Sequence, residues 1–121
     1  QGLACASPSY VYAVNYARQR VQGRHLDKME DKTAPPVPII EHPDVRRMLL
    51  YMKAYVEGMR SLLYYLGICD DRIEVTADEE EKANLQGMVD LLIPFAKGYV
   101  TDRAFDVCSM GVQVYGGYGY I

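Results

Sequence analysis

The sequence predicts an all-α protein, an up-down bundle of three long helices. Three observations carry that prediction. Apolar residues recur every three or four positions in three separate stretches, about 8–22, 43–68 and 77–114. No stretch alternates apolar and polar residues long enough to read as a strand. Between the first two stretches, Pro35, Pro36 and Pro38 rule out helix and mark a long connection. With 121 residues, half of them hydrophobic, the chain reads as one helical domain, 1–121, with room for a core.

The first helix shows its buried face in Leu3, Ala6, Tyr10, Ala13, Ala17 and Val21. Ser7-Pro8 reads as its start, with serine as N-cap and proline in the first turn. Residues 2–6 then form a preceding turn or an earlier, kinked part of the same helix, and Gly23 ends it. His42-Pro43-Asp44 opens the second helix, with proline at N1 and an acid at the positive end of the dipole. Val45, Leu49, Met52, Val56, Met59, Leu63 and Leu66 form a heptad seam, flanked by Met48, Tyr55, Leu62 and Tyr65, so this helix packs on more than one neighbour. Gly67 or Asp70 ends it. Thr76-Ala-Asp-Glu79 reads as a capping box for the third helix. Leu85, Val89, Leu92, Ala96, Tyr99, Val107 and Val114 are its core stripe, and Pro94 is expected to kink the helix without ending it.

Composition excludes several function classes. A net charge of -3 gives no reason to expect nucleic acid or an anionic membrane as partner. No apolar run approaches the roughly 20 residues of a membrane span, and no secretory signal is visible. The first residue is Gln1, so a piece of something longer is expected. Cys5, Cys69 and Cys108 form no CxxC pair and read as buried free thiols of a cytoplasmic protein. Glu-x-x-His is absent, no Cys/His cluster has metal spacing, and Asp78 to Glu81 reads as a solvated first turn, so no metal site is expected.

Two short motifs remain. The chain ends in Gln113-Val-Tyr-Gly-Gly-Tyr-Gly-Tyr-Ile121, with three glycines at 116, 117 and 119. One glycine suffices for a helix C-cap; several suit a backbone that must come close to a ligand. The first helix ends in Tyr16-Ala-Arg-Gln-Arg-Val-Gln-Gly-Arg24. Its arginines are either cations favoured at a helix C-terminus or, for one of them, a planar fork suited to a phosphate. In the long connection, Arg24, His25 and Lys28 are either near that phosphate or part of a solvated loop. In an antiparallel hairpin order the first and third helices point the same way, which brings both motifs to one end of the bundle.

Together these motifs resemble the C-terminal domain of FAD-dependent acyl-CoA dehydrogenases. The Gln-x-x-Gly-Gly-x-Gly-Tyr run resembles the end of that domain's long helix, and Arg20 and Gln22 match the polar pair at the end of its first helix. His42-Pro-Asp-Val-Arg-Arg-Met-Leu49, followed by Met52-Lys-Ala-Tyr-Val-Glu-Gly-Met-Arg60, resembles the longer bacterial members. The phenylalanine common before the glycine is missing here, as in those longer members. The resemblance implies an incomplete four-helix bundle, with FAD contacts from Arg20, Gln22, Gln113, Gly116 and Gly117 across a subunit interface. It further implies α,β-dehydrogenation of an acyl-CoA thioester by the parent, an electron-acceptor flavoprotein as partner, and a homo-oligomer, dimer or tetramer. The family's catalytic glutamate falls beyond Ile121 or before Gln1, so no catalytic residue is assigned. The 121 residues alone are expected to be inactive and free of FAD. The alternative from another class is a non-catalytic helical module that binds a partner helix in the groove left by a missing fourth helix.

Overall fold

The computed structural model describes residues 1–121 and is all-α. Helix α1 spans Gly2–Gln19, α2 Pro43–Val75 and α3 Glu79–Tyr115. Three 3-10 turns, Leu26–Lys28, Ile39–Glu41 and Gly116–Gly119, occupy the connections and the C-terminal end. At about 1.5 Å per residue α1 is roughly half as long as α3.

Contacts set the topology. A Cβ on Gly2 would press on Val100 and Ala104, a Cβ on Gly111 would press on Ser9, and Tyr16 stacks on Tyr115. Residue numbers rise together, so α1 and α3 run parallel. Arg72 pairs with Glu81, Tyr55 lies beside Tyr99, and Met52 reaches Gly111, so α2 runs antiparallel to α3. Small residues explain the close approach of α1. Its buried positions are Ala6, Ala13 and Ala17, all fully enclosed. Larger side chains from α2 and α3, above all Met52, Met59 and Val107, fill the space between the helices.

Several element boundaries differ from the sequence expectation. The first helix, expected at about 8–22, begins at Gly2 and runs through Pro8. Pro8 loses one backbone bond, but Ala6 and Ala13 are buried on either side of it. Ser7 is no cap; its Oγ accepts a 2.9 Å bond from Arg60 Nη2 of α2. The same helix stops at Gln19 because the Arg20 carbonyl is taken by the Ile39 N–H at 2.8 Å, and Arg20 turns extended. The second helix, expected at about 43–68, continues past Gly67 and Asp70 to Val75. Leu66, Cys69 and Ile73 keep the three-and-four spacing and are all buried, which outweighs the local charge of Asp70-Asp71-Arg72.

The third helix, expected at about 77–114, starts at Glu79. Asp78, not Thr76, is its N-cap and accepts from the N–H groups of Glu80 and Glu81. The helix is unbroken at Pro94. Its buried stripe passes through Val100, Ala104 and Gly111 on the way to Val114, leaving Tyr99 40% exposed. Of the three thiols only Cys69 is buried; Cys5 is exposed and Cys108 half-buried, and all three are free. No helix is long and apolar enough to cross a membrane.

Candidate functional site

The parallel run of α1 and α3 brings both C-termini to one end of the bundle, where the N-terminus of α2 also arrives. Between them lies an open cleft of about 840 Å³. Arg20, Gln22, Gln113, Gly116 and Gly117 all line it. Arg18, two residues before Arg20, faces a different cleft with Tyr10, Val14 and Arg46.

Each wall has a local cause. Tyr16 and Tyr115 stack with ring centroids 4.3 Å apart and planes 17° apart, locking the ends of α1 and α3 together. Tyr118 meets Tyr16 edge-on at 6.5 Å, and the Arg20 guanidinium lies over the Tyr118 ring at 5.9 Å. Gln113 donates from Nε2 to the Tyr120 hydroxyl at 2.5 Å, which leaves its Oε1 without a partner in the chain. Residues 20–23 form a short strap outside any helix. The strap is tied to the returning connection by Gln22 N–H to Val37 O at 3.0 Å and by Val37 N–H to Gly23 O at 2.9 Å.

The electrostatics of the cleft are one-sided. The chain holds 16 aspartates and glutamates, yet none lines it. Arg20 takes part in no ion pair, and the side chains of Arg20 and Gln22 make no hydrogen bond within the chain. An unopposed guanidinium with the free Gln22 amide nearby suits an anionic, polar ligand such as a phosphate.

The three glycines separate by cause. A Cβ on Gly119 would run into the Val112 carbonyl, so packing demands glycine there. Gly116 has φ +60, which demands glycine through the backbone. Gly117 has neither constraint: its φ is not positive and a Cβ would meet nothing within 4 Å. Its open face is a cradle that a Cβ would partly fill, and the chain itself gives no reason for it. This donor set and this open backbone fit a polar, phosphate-bearing ligand such as a dinucleotide.

Other expected residues lie elsewhere. Arg24 donates to the carbonyls of Ala34 and Lys32 and is committed to closing the connection. His25 accepts from the Asp27 N–H and caps a 3-10 turn. Conversely, Tyr16, Tyr118 and His42 line the cleft without having been singled out as site residues. The tyrosines flanking the glycine pair were the available signal; the approach of His42 has none, because it depends on the return of a long connection. No group of acids, histidines and cysteines has metal-binding geometry.

Known proteins match this chain along its length. The model of the acyl-CoA dehydrogenase C-terminal domain covers residues 3–121. The 3-methylmercaptopropionyl-CoA dehydrogenase of Ruegeria pomeroyi is 46% identical over 121 residues, all of this chain and 20% of the relative. The broad-specificity linear acyl-CoA dehydrogenase FadE5 of Mycobacterium tuberculosis is 39% identical over 122 residues, again all of this chain and 20% of the relative. A butyryl-CoA dehydrogenase of Syntrophomonas wolfei is 40% identical over 119 residues, 98% of this chain and 19% of the relative. The chain thus spans about a fifth of the length of these relatives.

Proposed function

The chain belongs to the family of acyl-CoA dehydrogenase C-terminal domains, and we propose that its cleft is the FAD-contacting end of such an enzyme. The observation that carries this reading is the convergence of Arg20, Gln22, Gln113, Gly116 and Gly117 on one acid-free cleft. Arg20 holds the FAD pyrophosphate with a charge-assisted, forked bond. Gln22 and Gln113 supply directional hydrogen bonds, and the Gly116-Gly117 backbone admits the cofactor at close range. Bound FAD supplies the hydride acceptor for α,β-dehydrogenation of an acyl-CoA thioester; the relatives' names share acyl-CoA dehydrogenation. No aspartate or glutamate side chain lines the cleft, so the role of the residues named here is to bind and orient.

As the family resemblance implies, the flavin that this cleft contacts belongs to a neighbouring subunit, and the whole protein is a homo-oligomer, dimer or tetramer. An acyl-CoA substrate and an electron-acceptor flavoprotein are its partners, in the cytoplasm.

The test is flavin retention in the full-length protein. Arg20→Ala is expected to weaken FAD binding by roughly tenfold to a hundredfold, the worth of one charge-assisted bond of about 1.5–3 kcal/mol. Arg20→Lys should recover part of this, since it keeps the charge and loses the fork. Arg18→Ala, on the other cleft, should hold FAD normally. Wild-type flavin content in Arg20→Ala would reduce Arg20 to a helix-end cation and remove the cofactor reading.

A further inference from the structure

The strap of residues 20–23 carries two of the cleft's polar side chains and lies beyond the end of α1, to which the Arg20 N–H ties it by a 2.8 Å bond to Tyr16 O. Backbone bonds to Val37 and Ile39 tie it on one side. The remaining tie comes from a side chain. His42 Nε2 lies 2.7 Å from the Gln22 carbonyl oxygen. A carbonyl only accepts, so Nε2 carries the proton and donates it.

The surroundings are shaped to this contact. A Cβ on Gly23 would stand 3.3 Å from His42 Nε2 and 3.4 Å from Cε1, and Gly23 has φ +75. Glycine here both permits the turn and leaves room for the imidazole. The root of His42 is fixed as well. It is the N-cap residue of α2; its N–H donates to Ile39 O at 3.0 Å and its carbonyl accepts from Arg46 N–H at 3.1 Å. The ring is half-buried and lines the same cleft as Arg20 and Gln22.

We propose that His42 is a positioning residue: it pins the Gln22 carbonyl to the start of α2 and so fixes where Arg20 and Gln22 present their side chains. What those side chains hold rests on the cofactor reading above. Without the bond the Gln22 carbonyl turns to water, the strap keeps its backbone ties to α1 and to the connection, and residues 21–23 move more freely, which carries the Gln22 side chain off its position and loosens Arg20 beside it. Pre-organisation of this kind lowers the ordering cost of binding.

The experiment uses the full-length protein. His42→Phe keeps a ring of similar shape and removes the donor. His42→Gln restores an N–H at about the same reach. His42→Asn, polar but shorter, stands in if the phenylalanine variant folds poorly. Two quantities are read: hydrogen–deuterium exchange across residues 20–38 of the FAD-free protein, and FAD affinity, with Arg20→Ala in parallel. The expected result is faster exchange in His42→Phe and His42→Asn with FAD binding weakened roughly twofold to tenfold, the worth of one net hydrogen bond. His42→Gln should return both toward wild type, and Arg20→Ala should weaken FAD binding without faster exchange. Unchanged exchange in His42→Phe and His42→Asn overturns the proposal. So does faster exchange with wild-type FAD affinity while Arg20→Ala loses FAD, because the strap would then be anchored without positioning anything. If neither Arg20→Ala nor His42→Phe changes FAD affinity, the cofactor reading is the step that fails, and the positioning role falls with it.

Discussion

The two ends of the bundle use similar side chains to different ends. At the α2–α3 turn, Arg72 pairs with Glu81, Thr76 Oγ1 donates to Glu81 at 2.9 Å, and Asp78 caps α3. Polar groups there satisfy one another and hold the turn. At the opposite end the side chains of Arg20 and Gln22 make no hydrogen bond or ion pair within the chain, and packing holds the structure instead. The twelve buried residues of the main cluster, from Ala6 to Val114, lie toward that end, where three helices meet. Only five residues form the cluster at the turn, where α1 does not reach and α2 and α3 pack alone. Apolar packing therefore carries the stability where polar side chains are left free for a ligand, and caps and ion pairs supplement a thin core where they are not.

Truncation in each core tests this division most strongly. Met52 is fully enclosed and reaches Gly111 across the bundle. Met52→Ala is expected to cost about 2–5 kcal/mol, the range for a buried large-to-small change. Ile73, buried between two helices only, should cost toward the lower end of that range, since water and neighbouring side chains fill the space more readily. Urea denaturation of both variants in the full-length protein makes the comparison. Equal losses would break it.

Much of this division was legible in the sequence, and the misreadings share a cause. The long stripes gave three helices and their faces because burial imposes a period that a sequence carries openly. Arg20 and Gln113 could be placed at one end from helix direction alone. Local punctuation misled wherever a distant group overrode it. Ser7-Pro8 looked like a start until Arg60 took the serine hydroxyl, and Gly23 looked like a stop while Ile39 had already drawn Arg20 out of the helix. Gly67 and Asp70 looked like stops although Ile73, further on, is needed in the second cluster. The stack of Tyr16 on Tyr115 and the reach of His42 to Gln22 join residues far apart in the chain, and neither leaves a trace in local spacing.

A smaller effect sharpens the comparison at the thin end. Where α1 begins, an apolar groove of about 600 Å³ opens beside Leu63, Ile93, Phe105, the exposed thiol of Cys5 and the half-buried one of Cys108. Elsewhere on α3, Leu91 and Phe95 are also exposed. The isolated 121-residue chain is expected to self-associate through this surface, and Ile93→Glu with Phe105→Glu should shift it toward monomer. Surface changes of this kind alter fold stability by only about 0.5 kcal/mol, so light scattering reads association and little else. A clean wild-type monomer at micromolar concentration would show that the thin end tolerates its exposure.

The smallest expected effect on stability is the most informative about the cleft. Gly117→Ala adds a methyl group where the chain offers no neighbour and where φ is already accessible to alanine. Folding stability should change by less than about 0.5 kcal/mol or rise slightly, because alanine has less backbone freedom to lose. Gly119→Ala, two residues on, must collide with the Val112 backbone and should destabilise the C-terminal turn. Thermal denaturation of both variants in FAD-free, full-length protein separates these outcomes. FAD affinity then asks a different question of Gly117. If the open face beside it admits the cofactor, the alanine methyl intrudes on the ligand, and FAD binding weakens while the FAD-free fold is unchanged. A variant that binds FAD as wild type would mean that the ligand leaves that face empty, and Gly116 would owe its glycine to φ alone. The polar half of the cleft, Arg20, Gln22 and Gln113, would then have to hold the cofactor without close approach of the backbone.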